Sequence, residues 1–369
     1  MNRKAAEMRK FLVCSGFLGA GKTTTMMAIQ KRFSEKYGKA SMISNDVGSK
    51  GLVDYRYSDA CGRNAVEIAE ECICFVTEDL VDCLRNLFNN EGNDLVMSDI
   101  PGFGVGALEH VYLKLNDEYK GEFDMAPFTV VIEPAGLDLL MEDRPDPEFP
   151  KELECLFDAQ LKEADLVILN KVDTITDEEK EMYLDFIRRT YPGCDVLGMS
   201  AVTGEGLDEV VDHIMEGSAK LEDVDFGIEQ ETFNTAFGKL SEYNCQYYVQ
   251  VCCDDFDPDG YLVDLGKAIT DRLREKGRTT PHLKIFGQLE NGQVCMVNLI
   301  GVDRPVSIDC RIDKRCTDLA VVINTTSACE SDLLEKTMQE SIEEVSKGYN
   351  LSVFIFFTEC FGLMDGEEE

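Results

Sequence analysis

Short apolar runs alternate with longer amphipathic stretches over the first two-thirds of this chain. The apolar runs have the length of strands, at residues 11–15, 40–44, 95–98, 128–132, 166–169 and 195–199. Helical periodicity fills the intervals at residues 22–37, 78–88, 108–115, 151–163 and 177–190. Because strands and helices alternate in this way, the pattern predicts an α/β fold with a mainly parallel sheet flanked by helices.

The pattern changes after residue 217. Charge rises and periodicity fades over residues 218–235, which we interpret as a linker after a first domain at 1–217. The remaining stretch, 236–369, has closely spaced strand patterns and few helices. The predicted strands are 247–253, 283–289, 294–300, 306–312, 319–324 and 351–357, and the predicted helices are 262–276 and 331–347. This order indicates a smaller α+β domain with a mainly antiparallel sheet.

Charge and composition narrow the class of protein. Asp and Glu number 71 against 36 Lys and Arg, so the chain should repel phosphate backbones and anionic lipid. We therefore expect no nucleic-acid or membrane partner, and no run approaches the roughly 20 apolar residues of a membrane-spanning helix. The 15 cysteines are odd in number and scattered, which favours reduced thiols in a soluble, cytoplasmic protein.

A phosphate-binding motif, GFLGAGKTT, follows the first predicted strand and opens the first predicted helix. Glycines let backbone N–H groups wrap phosphates at a helix N-terminus, and the lysine charge reaches the β and γ oxygens. The threonine hydroxyl after that lysine can bind Mg²⁺. The nucleotide-contacting residues predicted here are Gly16, Gly19, Ala20, Gly21, Lys22, Thr23 and Thr24.

Two later segments supply candidates for hydrolysis. Asp99-Ile100-Pro101-Gly102 ends a predicted strand, so the Asp99 carboxylate can hold Mg²⁺ and the Gly102 amide can sense the γ-phosphate. Asp46 ends the second strand and is a candidate for orienting the attacking water. A turn capped by Asp46 is an equally good interpretation. Lys22, Asp46 and Asp99 are thus the predicted catalytic residues.

The identity of the nucleotide base is indicated by the motif Asn170-Lys171-Val172-Asp173, which directly follows a predicted strand. The Asp173 carboxylate can accept hydrogen bonds from N1–H and the N2 amine of guanine, which adenine does not offer, and the Lys171 stem can pack over the base. Ser200 and Ala201 follow the next strand, where a backbone amide can read the guanine O6. Together these motifs favour GTP over ATP.

Two closely spaced cysteines, Cys72 and Cys74, lie between the first two nucleotide motifs. Both thiolates of a C-x-C can reach one ion, and sulfur suits zinc and softer metals. The same spacing also occurs among structural core cysteines. Two ligands do not complete a tetrahedral site.

These motifs together resemble the CobW-type GTPases, which are related to the hydrogenase and urease nickel-insertion GTPases. The resemblance spans about residues 10–217 and rests on GFLGAGKTT, SNDVGSKGLVD, ECICF, DAQLKEADLVILNKVD and MSAVTGEGLDEV. It implies a P-loop GTPase whose cysteine motif binds a cargo metal beside the nucleotide.

The sequence departs from the family pattern at two places. Phe75 stands where the family's C-x-C-C has a third cysteine. A homodimer sharing Cys72 and Cys74, or a further ligand from Glu71, Cys61 or Cys83, could complete the metal site. Asp99-Ile100-Pro101-Gly102 replaces the family's Glu-containing segment, and Glu133-Pro134-Ala135-Gly136, which imitates that segment, is interpreted as a loop.

The leading hypothesis is a GTP-hydrolysing metallochaperone or metalloenzyme-maturation factor that uses GTP and Mg²⁺. It would transfer zinc, cobalt or nickel to a client metalloprotein or corrinoid protein, in a role related to cobalamin. A second hypothesis is a metal-free regulatory GTPase that assembles or remodels a partner such as a corrinoid-dependent enzyme. A third hypothesis is a P-loop kinase or ATPase, which would be favoured if the protein bound ATP as tightly as GTP.

Overall fold

The computed structural model describes residues 9–46, 53–141, 151–222, 224, 230–251, 254–301 and 305–364. They form two compact units. The first contains the described residues of Met1–Lys50, Gly62–Asp146 and Glu154–Ile228, and the second those of Gly51–Cys61, Pro147–Leu153 and Glu229–Glu369. Helix α9 (Gln230–Phe237) begins inside the segment that we propose as the linker.

The first unit is built on a parallel sheet. Its described strands are β1 (Lys10–Ser15), β2 (Ala40–Asp46), β3 (Ala65–Ala69), β4 (Leu95–Asp99), β5 (Asp124–Met125), β6 (Thr129–Ile132), β7 (Leu166–Leu169) and β8 (Asp195–Gly198). Phe11 to Cys14 of β1 are all fully buried. A strand that is apolar on both faces requires cover on both faces, which is the situation of a parallel sheet between helices.

The strand order places the ends of several motif-bearing strands together. The order is β3-β2-β4-β1-β6-β7-β8, with β5 pairing β1 outside this path. Strand β1 therefore lies between β4 and β6, where the order of connections reverses. Ligands of such sheets bind beyond the carboxyl ends of the strands at this reversal. The loops after β1 and β4 both start there.

Helices connect the strands of both units. In chain order they are α1 (Lys22–Lys36), α2 (Val53–Ala60), α3 (Thr77–Arg85), α4 (Lys114–Glu118), α5 (Pro134–Asp138), α6 (Lys151–Lys162), α7 (Asp177–Thr190), α8 (Leu207–Glu216), α9, α10 (Pro258–Glu275) and α11 (Ser331–Gly348). The π-helical turns Asn86–Asn90 and Leu108–Leu113 and the 3-10 turn Val172–Thr174 complete the helical segments of the described chain. Among these helices, each one is too short or too polar to span a bilayer.

The second unit contains an antiparallel sheet. Its described strands are β9 (Ser241–Val251), β10 (Thr279–Gln288), β11 (Val294–Leu299), β12 (Ser307–Cys310), β13 (Asp318–Ala328) and β14 (Leu351–Gly362), in the order β12-β11-β10-β13-β9-β14. Helices α10 and α11 pack on the sheet. The buried hydroxyls of Tyr247 and Tyr261 lie 3.0 Å apart, and Tyr261 also contacts the Ser346 hydroxyl at 2.9 Å.

Helix α2 packs on the same antiparallel sheet. Its Val53 is buried against Phe286, Met296 and Val322, which come from three different strands. Strand residues alternate between the two faces, so this contact lies on the face opposite Ile285, Val297 and Ile323 of the main core. Lys284 pairs with Asp54, both being largely buried. The second unit therefore includes a segment that lies far earlier in the chain.

The structure confirms the fold class and differs from the sequence prediction in particular elements. A parallel sheet flanked by helices and a separate antiparallel sheet are both present. Strands β3 and β5 and helices α2, α5 and α9 were not predicted, because each is short or weakly periodic. Helix α8 was also missed, although its buried residues Val210, Val211 and Ile214 follow helical spacing. The interpretation of Glu133–Gly136 as a loop is wrong: helix α5 starts at Pro134, whose fixed φ favours the first helical position. The predicted strand end at Cys252-Cys253 lies outside the described residues.

A buried acid in the antiparallel sheet leads to a prediction about pH. Burial raises the pKa of Glu242 from 4.5 to about 7, although the side chains of Asn244 and Asn324 donate hydrogen bonds to it. In the unfolded chain the Glu242 carboxyl ionises at a lower pH than it does in the folded protein. As pH rises from 4.5 to about 7, this group therefore progressively lowers the free energy of unfolding. In the Glu242→Gln variant, we expect the free energy of unfolding to fall by about 3 kcal/mol less over this pH range than in the wild type.

Urea denaturation of the wild type and the Glu242→Gln variant at pH 5 and pH 7.5 measures this effect. The stability difference should move in favour of the variant at the higher pH. A difference that stays constant between the two pH values would show that the Glu242 carboxyl titrates normally.

Candidate functional site

The phosphate-binding loop connects β1 to α1 in the first unit. Gly21 adopts a left-handed conformation with φ 88° immediately before α1, and a Cβ there would lie 2.6 Å from Asn170 Nδ2. Glycine therefore satisfies both the backbone and the space at this position. The first turn of α1 carries no acidic residue, so the partial positive charge of the helix N-terminus stays available for a phosphate.

Lys22 and Thr23 lie in the first turn of α1 and are partly exposed. Lys22 Nζ donates a hydrogen bond to the Gly16 carbonyl oxygen at 2.7 Å, so its ammonium group lies over the loop. A Cβ built on Gly102 would lie 3.0 Å from Lys22 Nζ. The structure therefore brings together the glycine of D-x-x-G and the phosphate-loop lysine.

Asp99 lies at the carboxyl end of β4, beside β1. It pairs in register with Cys14, and its side chain is mostly buried. Both Lys22 and Asp99 act electrostatically on the Cys14 thiol, whose pKa burial raises to about 12. The carboxylate of Asp99 and the hydroxyl of Thr23 are hard oxygen donors of the kind that Mg²⁺ prefers. The side chain of Asp46, at the end of β2, lies outside the described part of the chain.

The Asn170 side chain joins the phosphate loop to the loop after β8. Asn170 Nδ2 donates to the Ala20 carbonyl at 3.0 Å, and Asn170 Oδ1 accepts from the Ala201 N–H at 3.1 Å. The buried Ser200 hydroxyl accepts from the Thr203 N–H at 3.1 Å, which fixes the turn that follows. Asn170 therefore holds two segments of the predicted nucleotide site in one arrangement.

Lys171 and Asp173 extend the same site. Lys171 has a left-handed φ of 63°, and its Nζ donates to the Gly19 carbonyl at 2.9 Å. Asp173 lies in the 3-10 turn Val172–Thr174, and its side chain is exposed. Its carboxylate is thus accessible to a base from solvent.

Cys72 and Cys74 lie in the loop between β3 and α3, and both are buried. A hydrogen bond from Cys74 lowers the pKa of Cys72, whereas this same bond and burial raise that of Cys74. The pair can therefore hold one thiolate more easily than two. Within the described residues, no group of three His, Cys, Asp or Glu side chains could hold a metal ion. Within the described part of the first unit, Glu71 and Cys83 accordingly do not complete the site.

The sequence of residues 10–197 matches the family described as CobW/HypB/UreG, nucleotide-binding domain, over just over half of the chain. The chain belongs to the CobW/HypB/UreG family. The resemblance inferred from the motifs is thereby confirmed, and the first unit is a P-loop GTPase domain.

Two curated relatives of this CobW/HypB/UreG protein are zinc-related by name. The chain is 23% identical over 253 residues to the zinc-regulated GTPase metalloprotein activator 1 of Schizosaccharomyces pombe, covering 65% of this chain and 56% of that protein. It is 27% identical over 184 residues to the zinc chaperone CobW of Sinorhizobium, covering 44% of this chain and 51% of that protein. The chain spans about half the length of the curated relatives it matches.

A solved structure of HypB from Helicobacter pylori in complex with nickel is also similar. The match has a TM-score of 0.40 and 17% sequence identity, and it covers 56% of this chain and 85% of the HypB chain. The fold assignment rests on the sheets and helices described above.

Glu133, whose segment imitates the family's Glu-containing motif but was interpreted as a loop, is a further residue of the site. It follows β6 and directly precedes α5, and its buried carboxylate forms an ion pair with the partly buried Lys171 Nζ at 2.7 Å. Its position directly after a buried strand was the second available signal. The contact with Lys171 became visible only when the two strand ends were brought together.

Gln160 supports the loop that follows Asp99. The fully buried Gln160 side chain donates to the carbonyl oxygens of Gly102 at 3.2 Å and Gly104 at 2.9 Å. Glu163 accepts from the N–H groups of Gly106 and Leu108, and burial raises its pKa to about 8. Both side chains therefore fix the loop that carries the predicted γ-phosphate sensor.

We expect Glu133→Gln to weaken the binding of GDP and GTP about tenfold, which is about 1.4 kcal/mol. The neutral amide leaves the partly buried Lys171 ammonium with a weaker partner, so Lys171 no longer keeps its position against Gly19. Isothermal titration with each nucleotide measures the loss. Asp208→Asn breaks the exposed pair with Arg32 and serves as the control, with binding close to wild type. Equal effects of both substitutions would contradict a specific role of Glu133.

Proposed function

We propose that this protein binds and hydrolyses GTP and couples that cycle to the transfer of a thiolate-bound metal ion. The carrying observation is that Asp99 and the cysteine loop share a hydrogen-bond partner, Asn45. Its backbone N–H donates to Asp99 Oδ1 at 2.8 Å, and its side-chain oxygen accepts from the N–H of Ile73, between Cys72 and Cys74, at 3.0 Å. Asp99 is the last residue of β4, which lies beside β1 and the phosphate loop. A change at the thiol pair therefore acts on the predicted nucleotide site, and the reverse holds equally.

Hydrolysis is assigned to the residues at the ends of the central strands. Lys22 neutralises charge on the β and γ oxygens, and Gly102 contacts the γ-phosphate through its amide. Thr23 and Asp99 would hold Mg²⁺, which supplies charge neutralisation between the phosphates when it is bound. Asp46 is the proposed residue that orients water. Asp173 selects guanine, while Asn170, Lys171, Ser200 and Ala201 shape the pocket for the base.

Cys72 and Cys74 are the proposed cargo ligands. Sulfur favours zinc and also fits cobalt and nickel in this donor set. The relatives' names, a zinc-regulated activator and a zinc chaperone, make zinc the first choice. Two thiolates leave coordination positions open, which a second copy of the chain related by a two-fold axis, or the client, would fill.

The client is proposed to be a metalloprotein or a corrinoid protein in the cytoplasm. The net charge of −35 supports a protein client over nucleic acid or an anionic membrane, since both would be repelled. The antiparallel sheet of the second unit offers a surface for client recognition. The domain boundaries proposed above, with a linker at 218–235, separate this role from the nucleotide site.

Metal titration with and without a non-hydrolysable GTP analogue tests the proposal. We expect the apparent affinity for Zn²⁺ to change between about 5-fold and 150-fold with nucleotide, the usual range of coupling between two sites. The double variant Cys72→Ser, Cys74→Ser should lose that site. The matched control, Cys245→Ser, Cys295→Ser, removes two fully buried thiols of the second unit and should keep it. Unchanged stoichiometry in the Cys72, Cys74 variant would eliminate the metal role.

One observation favours the second candidate, a metal-free regulatory GTPase. Phe75, which replaces the family's third cysteine, is 74% exposed. An exposed aromatic ring directly after the cysteine pair suits contact with a protein partner better than metal binding. Capture of a client that depends on nucleotide state and on Phe75, by protein without bound metal, would support this candidate.

A further inference from the structure

Asn45 lies between the two sites that the proposed function couples. It is the penultimate residue of β2, and its side chain is only 3% exposed. Its backbone N–H donates a hydrogen bond to Asp99 Oδ1 at 2.8 Å. Any change in the position or charge of the Asp99 carboxylate therefore acts directly on the backbone of Asn45.

The side chain of Asn45 holds the cysteine loop on the other side. Its Nδ2 donates to the carbonyl oxygens of Ile68 at 3.1 Å and Glu71 at 2.9 Å. Its Oδ1 accepts from the N–H of Ile73 at 3.0 Å. Ile73 is the residue between Cys72 and Cys74, so one amide group fixes the loop both before and within the cysteine pair.

We propose that Asn45 is the positioning residue that transmits the state of the nucleotide site to the cysteine pair. This inference rests on the proposed function and names the route of its regulation. The backbone of Asn45 follows Asp99, and its side chain carries the displacement to Glu71 and Ile73. Because both oxygen and nitrogen of the buried amide are engaged, the loop cannot keep its position when the Asn45 backbone moves.

One residue is sufficient for this route because both contacts are made by Asn45. Its backbone N–H contacts Asp99 and its side chain contacts the cysteine loop, so the two groups move together. Two separate residues would need a further contact between them. Substitution of the side chain cuts only the link to the loop. The bond from the residue 45 N–H to Asp99 persists in every non-proline variant, so the nucleotide site keeps its own contacts.

Asn45→Ala tests this assignment with two readouts. The first is the alkylation rate of Cys72 and Cys74, measured by peptide mass spectrometry on metal-free protein with Mg²⁺ and either GDP or a non-hydrolysable GTP analogue. The second is the ratio of Zn²⁺ affinities in the same two nucleotide states. We expect both ratios to fall to within about twofold of unity in the variant, while GTP affinity stays within about threefold of wild type.

Asn93→Ala is the matched control. Asn93 is equally buried in the same unit, donates to the Leu87 carbonyl at 2.8 Å and accepts from the Ser41 hydroxyl at 2.7 Å. It should lose a similar amount of stability and keep both ratios. Asn45→Leu, which restores most of the lost side-chain volume without donors, provides a second uncoupled variant if Asn45→Ala folds poorly.

The outcomes separate this inference from the proposed function. Wild-type ratios of unity would overturn both, because there would be no coupling to transmit. Wild-type ratios that differ from unity and persist in the Asn45 variants would overturn only the assignment to Asn45. The structure predicts that the ratios of alkylation rate and of Zn²⁺ affinity both fall to about unity in Asn45→Ala and Asn45→Leu. In Asn93→Ala both ratios should keep their wild-type values.

Discussion

Replacing Asp173 with asparagine is expected to move the nucleotide preference of this protein from GTP to xanthosine triphosphate. The exposed carboxylate at Asp173 offers two acceptors, which match the N1–H and N2 amine of guanine. Asparagine offers one acceptor and one donor, which match the N1–H and the C2 carbonyl oxygen of xanthine. With two charge-assisted hydrogen bonds at stake, GTP affinity should fall about a thousandfold.

Competition binding with GTP, ATP and xanthosine triphosphate measures the exchange. Asp177→Asn changes an equally exposed carboxylate four residues later and should leave the preference unchanged. If Asp173→Asn kept the preference for GTP, another group would read the base. If wild-type protein bound ATP as tightly as GTP, the chain would function as an ATPase or kinase.

Lys22→Met is expected to reduce the rate constant of GTP hydrolysis at least a hundredfold. Lys22 lies over the phosphate loop through its contact with the Gly16 carbonyl and lies beside Gly102. The methionine keeps much of the side-chain length and removes the charge that opposes the developing charge on the γ-phosphate. Loss of one such preorganised group commonly costs a factor of 10²–10³ in rate.

Single-turnover hydrolysis at saturating GTP separates this effect from weaker binding. Lys31→Met provides the control because Lys31 lies exposed on the same helix. Hydrolysis that continued at the wild-type rate in Lys22→Met would contradict the assignment of the phosphate site. A rate reduced equally by Lys31→Met would indicate a general effect on α1.

The nucleotide motifs could be located from sequence because their chemistry is local. Gly16 to Thr24 lie within one strand–loop–helix unit, and the spacing alone dictates that glycine, lysine and threonine follow one another around a phosphate. Asp99 ends one short apolar strand and Asn170 follows another, and the burial of both strands could be predicted without knowing their neighbours. The α/β fold followed from the same alternation.

Contacts between distant segments could not be located in this way. Lys171 meets Glu133 only because β6 and β7 are neighbours in the sheet. Asp54 of α2 pairs with Lys284, which lies 230 positions later in the chain. The sequence around α2 therefore does not indicate the sheet on which this helix packs. The amphipathic signal of α2 was weak because its apolar face is small.

Asn45 shows the same limit at the site itself. Its neighbour Asp46 was the candidate at the end of the second predicted strand, either for orienting water or for capping a turn, and the pattern assigned no role to Asn45. The four hydrogen bonds that make it a link to Asp99 and to the cysteine loop join three segments of the chain. Only the folded arrangement brings those segments together.

The guanine nucleotide is proposed to control a metal ion held by Cys72 and Cys74. Elemental analysis of the protein purified with a non-hydrolysable GTP analogue, and again with GDP, is the decisive experiment. We expect a transition metal whose stoichiometry differs between the two nucleotide states and which the Cys72→Ser, Cys74→Ser variant lacks in both. The same metal content in both nucleotide states and in the variant would show that this control does not exist.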